Sequence, residues 1–166
     1  MCIRDRYNMV QLEELGLLKM DFLGLRTLTV LKDAVKNVKA SQGIDIDIDH
    51  IDLNDKKVLD FIGTGRTEGV FQLESSGMKQ VLVGLQPQNL EDIIALISLY
   101  RPGPMDSIPT YLRNRHEPDK ISYKTPQLAH ILDVTNGCIV YQEQVMQIFR
   151  ELAGFSFGQA DNVRRA

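Results

Sequence analysis

One segment limits the fold more than any other, an apolar stretch at residues 90–100 that is closed by Arg101-Pro-Gly-Pro104. As a helix, this stretch is hydrophobic on most sides, and such a helix is stable only when other elements cover it. The prolines that follow cannot continue a helix, so the helix has to end at that loop. The pattern therefore predicts a central core helix that is surrounded by further elements.

The segments around this helix are predicted to be mainly α-helical, with a few short β-strands. Apolar residues three or four positions apart, glycines and capping side chains predict helices over residues 28–42, 55–62, 76–85, 107–112 and 141–153. Another helix is predicted to begin at Thr125-Pro126, and the last one at Ser156, where Gln159 completes a capping box. Short strands are predicted at residues 17–23, 70–73 and 138–140.

The composition excludes several classes of protein. With 43% hydrophobic and 25% charged residues, the chain of 166 residues is neither disordered nor long enough for many domains. No run of about 18 apolar residues occurs, which argues against a transmembrane helix. The two cysteines, Cys2 and Cys138, lie far apart and the three histidines are scattered, so we expect reduced thiols in a cytoplasmic protein rather than a zinc site.

The net charge of −3 does not indicate a strongly basic nucleic-acid binder, although local clusters can still bind phosphates.

Two motifs resemble ligand sites but do not match the required patterns. Residues 45–49 begin like a calcium loop, but His50 and Lys56 stand where that loop needs glycine and glutamate. The glycines at residues 63–69 are spaced wrongly for a dinucleotide fingerprint and precede no predicted helix at the required position.

The first candidate site is the pair Lys19 and Asp21. On the predicted strand these two side chains share one face, because side chains alternate along a strand. A carboxylate on a strand beside a lysine suits magnesium-dependent phosphoryl transfer, in which carboxylates hold Mg²⁺ and a cation neutralises phosphate charge. A buried structural ion pair explains the same pattern, and the residues alone leave both interpretations open.

The second candidate site is the pair Arg164 and Arg165, with Asp161 one helical turn earlier. Two guanidinium groups on one helix can bind a triphosphate through several charge-assisted hydrogen bonds. The alternative is an exposed pair of charges at the end of a helix, where cations are favoured by the helix dipole. Here too the pattern alone leaves both interpretations open.

Five longer motifs occur in a fixed order and together carry a family resemblance. They are residues 19–29, which contain Lys19-Met-Asp-Phe-Leu-Gly24, and residues 69–78, 95–105, 140–148 and 160–166, the last ending in Arg164-Arg165-Ala166. In this combination the chain resembles the alpha subunits of bacterial DNA polymerase III, the C-family replicative polymerases. The resemblance covers about residues 9–166.

The resemblance implies a role for each candidate residue. In that family the palm is a polymerase-beta-like nucleotidyltransferase in which three aspartates hold two Mg²⁺ ions, and Asp21 matches the third of them. Lys19 matches a palm lysine near the phosphates of the incoming nucleotide, and Arg164 and Arg165 match a fingers pair that faces the triphosphate. Residues 9–26 then form the C-terminal end of the palm, and residues 27–166 an incomplete fingers domain.

The implied function is addition of dNTPs to a primer 3′-hydroxyl by a DNA-directed DNA polymerase in the cytoplasm. The implied partners are primed template DNA, dNTP and, through regions outside this chain, the sliding clamp and other replisome subunits.

The family's other two aspartates lie in a Pro-Asp-x-Asp motif that this sequence lacks. We therefore expect the chain to be a fragment that is inactive alone, and we interpret residues 1–8 as a foreign or artefactual N-terminus. The alternative function is a non-catalytic helical protein-interaction module.

Overall fold

The computed structural model describes residues 8–18 and 20–165, and this part of the chain is mainly helical, as predicted. Its α-helices are α1 (Met9–Glu14), α2 (Arg26–Gln42), α3 (Lys56–Gly63), α4 (Ser76–Leu85), α5 (Leu90–Leu99), α6 (Ile108–His116), α7 (Ala129–Leu132), α8 (Gln142–Ala153) and α9 (Phe157–Arg165). Within the described residues, none of these helices is long and apolar enough to cross a membrane. The chain divides into two compact units, one that ends at Asp49 and one that begins at His50.

The first unit contains α1 and α2. Asn8 caps α1, since its side chain accepts a hydrogen bond from the Gln11 backbone N–H at 2.9 Å and the Gln11 side chain bonds back to the Asn8 backbone. The sequence analysis did not predict this helix. It did predict α2, which ends at Gly43, where φ is 69° and the glycine adopts the left-handed conformation without steric cost.

The strand predicted at residues 17–23 is wrong for the described residues. Residues 17, 18 and 20–25 form no helix or strand, and the Leu17 backbone N–H instead bonds to the Leu12 carbonyl at the end of α1. A strand is stable only when a neighbouring backbone completes its hydrogen bonds, and no pairing of this kind occurs within the described residues. The apolar side chains of the segment are exposed, Phe22 by 90%.

The second unit is built around α5, and the prediction of a central core helix is confirmed. Four of its apolar residues are buried, namely Ile93, Ala95, Leu96 and Leu99. Around them pack buried side chains from three other helices, which are Leu59 of α3, Met78, Leu82 and Leu85 of α4, and Ile108 and Tyr111 of α6. Asn89 caps α5 by accepting a hydrogen bond from the Asp92 backbone N–H at 2.8 Å.

A charged pair joins the two helices α5 and α6 beside this core. The Arg115 Nε and Nη2 atoms donate to the two carboxylate oxygens of Asp92 at 2.8 and 2.9 Å, which is a bidentate arrangement. Asp92 also accepts from the Gln88 backbone N–H at 2.9 Å. Hydrogen bonding to Asp92 raises the pKa of Arg115. Burial, with the nearby Asp92 charge second, raises the pKa of Tyr111 to about 12.

The strands predicted at residues 70–73 and 138–140 are also wrong. Residues 70–72 form a bend and turn, residues 138–140 are extended without pairing after a turn at residues 136–137, and a buried threonine bonds to a carbonyl of each segment. Thr67 donates its hydroxyl hydrogen to the Leu73 carbonyl, and Thr135 donates to the Cys138 carbonyl at 2.6 Å. These side-chain hydrogen bonds satisfy backbone groups that a strand would satisfy by pairing, so the apolar segments stay ordered without a sheet.

Gly77, in the first turn of α4, faces the end of the Tyr100 side chain. A Cβ atom built on Gly77 would overlap the Tyr100 hydroxyl oxygen and lie 3.2 Å from Cζ. Tyr100 packs against the core from the end of α5. A side chain at position 77 would therefore force the end of the Tyr100 side chain to shift, although the backbone angle of Gly77 is ordinary.

We expect Gly77→Ala to destabilise the chain by about 1–2 kcal/mol, because overlap with Tyr100 exceeds the helix preference for alanine. In a Tyr100→Phe background the same change should be less destabilising, since phenylalanine removes the overlapping oxygen and leaves Cζ as the closest ring atom, at 3.2 Å from the added Cβ. Urea unfolding of the four chains in a double-mutant cycle measures the difference. Equal effects of Gly77→Ala in both backgrounds would contradict this account.

Candidate functional site

The helices α8 and α9 form a hairpin at the C-terminal end of the second unit. Gly154 ends α8 with a φ of 67°, and Ser156 and Gln159 form the predicted capping box at the start of α9. Across the hairpin, the rings of Phe149 and Phe155 stack with centroids 5.7 Å apart. These contacts fix where the last turn of α9 lies relative to the first turn of α8.

Arg164 joins the last turn of α9 to the first turn of α8. Its Nε and Nη2 atoms donate to Oδ1 of Asp161 at 2.9 and 2.7 Å, and its Nη1 atom donates to Oε1 of Gln142 at 3.1 Å. Only 24% of the Arg164 side chain is exposed. Three donor atoms of Arg164 therefore bond to two helices, its own helix α9 and the neighbouring helix α8.

Arg165 pairs with the same carboxylate but makes fewer contacts than Arg164. Its Nη2 atom lies 2.9 Å from Oδ2 of Asp161, and 70% of its side chain is exposed. The hydrogen bonds from Arg164, followed by the charges of both arginines, lower the pKa of Asp161. Asp161 is therefore ionised near neutral pH and lies between two guanidinium groups, one held and one exposed.

The structure brings Arg164 and Arg165 together, as the sequence indicated, and adds two groups to the cluster. Asp161 was expected nearby because it stands one turn earlier on the same helix. Gln142 was not expected, because it is 22 residues away along the chain and meets Arg164 only through the hairpin. We call Gln142, Asp161, Arg164 and Arg165 the arginine cluster.

The other predicted site lies in the first unit. Asp21 is exposed in the segment without regular structure, and Lys19 lies outside the described residues. The prediction that Asp21 lies on a strand is wrong, and the shared face with Lys19, which followed from that strand, is untested. Among residues 8–18 and 20–165, no three His, Cys, Asp or Glu side chains are grouped so that they could hold a metal ion. Asp21 on its own offers one carboxylate, the ligand type that Mg²⁺ prefers.

Gln144, for which the sequence indicated no role, is a buried residue of α8 whose side-chain amide makes four hydrogen bonds. Its Oε1 accepts from the backbone N–H groups of Val140 and Tyr141, both at 2.9 Å. Its Nε2 donates to the Ile131 carbonyl at 3.1 Å and to the Thr135 hydroxyl at 2.7 Å. The Gln144 amide therefore holds the segment that leads into α8. The sequence contained one signal for this role, a glutamine on the inner side of an amphipathic helix.

Comparison of the sequence with known protein families assigns the chain to the class of DNA polymerase finger domains. The sequence model described as bacterial DNA polymerase III alpha subunit finger domain matches residues 27–166. The chain therefore belongs to the family of bacterial DNA polymerase III alpha subunits, through their finger domain.

Similar proteins named DNA polymerase III subunit alpha occur in several bacteria. The chain is 51% identical over 161 residues to that of Staphylococcus epidermidis, a match that covers 97% of the chain and 15% of the relative. It is 54% identical over 166 residues to that of Thermus aquaticus, with 97% and 14% covered, and 50% identical over 161 residues to that of Staphylococcus aureus strain COL, with 97% and 15% covered. The chain thus spans about a seventh of the length of these relatives.

Proposed function

We propose that the chain works as the fingers of a DNA-directed DNA polymerase, with the end of its palm. The observation that carries the proposal is the match of the finger-domain model to residues 27–166, together with about 50% identity to polymerase subunits over 97% of the chain. Residues 9–26 are assigned to the palm and residues 27–166 to the fingers. The reaction is attack of a primer 3′-hydroxyl on a dNTP, with release of pyrophosphate.

The arginine cluster supplies positive charge for the triphosphate. Arg164 and Arg165 carry guanidinium groups, which bind phosphate through several hydrogen bonds at once. Arg164 is positioned by Gln142 and Asp161, so its geometry is fixed before substrate arrives. Lys19 is assigned to the phosphates as well. In the complete protein these cations stabilise the charge that develops on the leaving group.

Asp21 is assigned as a ligand of the catalytic Mg²⁺. Asp21 would hold Mg²⁺ together with other carboxylates, and the metal would supply activation of the attacking hydroxyl and neutralisation of phosphate charge. The exposed carboxylate of Asp21 suits this role chemically and supplies one of the three aspartates that the family uses. The other two belong to a Pro-Asp-x-Asp motif that the 166-residue sequence does not contain. The chain alone is therefore expected to extend primers no faster than a blank.

The polymerase acts in the bacterial cytoplasm on primed template DNA and dNTPs. The sliding clamp and other replisome subunits bind regions of the polymerase outside this chain. The fingers themselves need little net positive charge, because they face one triphosphate rather than a long duplex. Residues 101–124, with five basic and three acidic side chains, are consistent with such a weakly basic surface.

Arg165→Ala in a complete polymerase that carries this segment should mainly weaken the use of dNTP. A charge-assisted contact to phosphate contributes roughly 1.5–3 kcal/mol, so kcat/KM for dNTP should fall by about 10- to 100-fold, mostly through KM. Steady-state primer extension measures the change.

Two comparisons make the Arg165 experiment specific. Lys57→Ala, at an exposed position of α3, removes a positive charge elsewhere in the second unit and should leave both constants nearly unchanged. Arg165→Lys keeps the charge but loses the planar fork, so it should recover part of the lost affinity. Unchanged kinetics for Arg165→Ala would remove Arg165 from the triphosphate site.

A further inference from the structure

The carboxylate of Asp161 already pairs with both guanidinium groups of the arginine cluster. Both of its carboxylate oxygens face guanidinium groups, with Oδ1 toward Arg164 and Oδ2 toward Arg165. A phosphate that binds the Nη2 hydrogen now directed at Asp161 has to replace Oδ2 there. The carboxylate is thus an internal anion that competes with the anionic ligand for the same donors.

The two arginines differ in how easily Asp161 can be replaced. Arg164 is mostly covered and is held by two bonds to Oδ1 and a third to Gln142 on the neighbouring helix. Arg165 is 70% exposed and has one contact to Oδ2 at 2.9 Å. Exposed ion pairs of this kind are weak, since water and salt screen them. The Arg165 contact is therefore the one that a ligand breaks first.

We propose that Asp161 is a displaceable counterion, which pairs with both arginines in the free chain and releases Arg165, but not Arg164, to an incoming polyphosphate. The inference rests on the proposed triphosphate role of the cluster. It makes Asp161 and Gln142 positioning residues for Arg164, and it makes Arg165 the side chain that moves to the ligand. Several negative charges on the polyphosphate outweigh the single charge of the carboxylate in this exchange.

The electrostatic consequence is that Asp161 lowers the affinity of the free site. With the carboxylate in place, the two arginines and Asp161 together carry one positive charge instead of two. Asp161 also repels an anion within the Debye length of about 10 Å at 0.1 M salt. Removing its charge should therefore strengthen polyphosphate binding, the opposite of what loss of a purely structural residue would do.

The test is binding of inorganic tripolyphosphate to the 166-residue chain, measured by titration calorimetry at low salt. Asp161→Asn should bind about fivefold more tightly than the unchanged chain, an effect that corresponds to loss of one exposed ion pair and its repulsion. Asp161→Asn combined with Arg165→Ala should lose this gain. Equal or weaker binding by Asp161→Asn, or no binding by either chain, would overturn the proposal.

Asp60→Asn is the matched control. Asp60 is an exposed helical aspartate paired with Lys56 four residues earlier, at 2.9 Å, so the variant changes the net charge by the same amount at another place. It should change tripolyphosphate affinity less than twofold. A gain as large as that of Asp161→Asn would show that net charge alone is responsible and would overturn the proposal.

A second measurement needs no substitution. In the unchanged chain, tripolyphosphate should shift the side-chain Nε–Hε NMR signal of Arg165 strongly and that of Arg164 little, because only Arg165 changes partner. Equal shifts of both signals would contradict the unequal release. Neither measurement depends on primer extension, so failure here leaves the polymerase assignment to be judged by the kinetics of Arg165 and Asp21 variants.

Discussion

Primer extension by a complete polymerase carrying this segment should fall by at least about 10²–10³-fold when Asp21 is replaced by asparagine. Loss of one preorganised electrostatic group commonly lowers the rate by this factor, and loss of a metal ligand should cost no less. Asparagine keeps the size of the side chain but removes the negative charge that a divalent ion requires. Folding should change little, since fewer carboxylates around an empty metal site repel one another less.

The measurement is steady-state extension on a primed template, with circular dichroism as the folding control. Asp33→Asn offers a matched comparison, because Asp33 is an exposed aspartate on α2 of the same unit and is paired only loosely with Lys36 at 3.6 Å. That variant should extend primers at nearly the normal rate. If a folded Asp21→Asn enzyme also does so, Asp21 is not a metal ligand.

Most of the helices, with the exception of α1, could be predicted from the sequence because their signals are local. Capping side chains such as Asp55, Ser75 and Asn89 each accept a hydrogen bond from a backbone N–H two or three residues later, so a short window of sequence contains the whole interaction. Gly43 and Gly154 end their helices in the left-handed conformation by the same local logic. The core helix α5 followed from its nearly uniform apolar surface.

The strands could not be predicted in the same way, because a strand depends on a partner segment that local sequence does not identify. An apolar run such as residues 70–73 fits a strand or a buried turn equally well. The deciding group was Thr67, whose hydroxyl bonds to the Leu73 carbonyl across six residues. A similar hydrogen bond joins the Thr135 hydroxyl to the Cys138 carbonyl at the start of the other segment.

The same distinction between local and long-range contacts applies to the candidate sites. The nearness of Arg164, Arg165 and Asp161 follows from their spacing on one helix and was predictable. That Arg164 has more hydrogen-bond partners than Arg165 was not predictable, because Gln142 contacts Arg164 only through the packing of α8 on α9. Asp21 became a candidate from its spacing to Lys19, and its role as a metal ligand came from the motif resemblance. The two further aspartates that the resemblance implies are absent from the 166 residues, so no pattern within them could place those two.

The pair Asp92 and Arg115 should be the most sensitive charged contact for stability. Asp92 is 5% exposed and Arg115 22%, so the carboxylate is shielded from water while the guanidinium keeps partial access. Removal of one member of a buried pair costs about 3–5 kcal/mol, because the other charge is left without compensation. Arg115→Met keeps the length of the apolar stem and removes only the charged group, which isolates this cost.

We therefore expect Arg115→Met to lower the free energy of unfolding by about 3 kcal/mol, the lower end of that range, since water partly reaches Arg115. Arg113→Met, two residues earlier on α6 and exposed, should change it by no more than about 0.5 kcal/mol. Asp92→Asn in the Arg115→Met background should recover much of the loss, because asparagine can still accept from the Gln88 backbone N–H without carrying a charge. Urea unfolding of the 166-residue chains measures all three values. A small effect of Arg115→Met, or no recovery in the double variant, would mean that packing of α6 on the core, rather than the ion pair, holds these helices together.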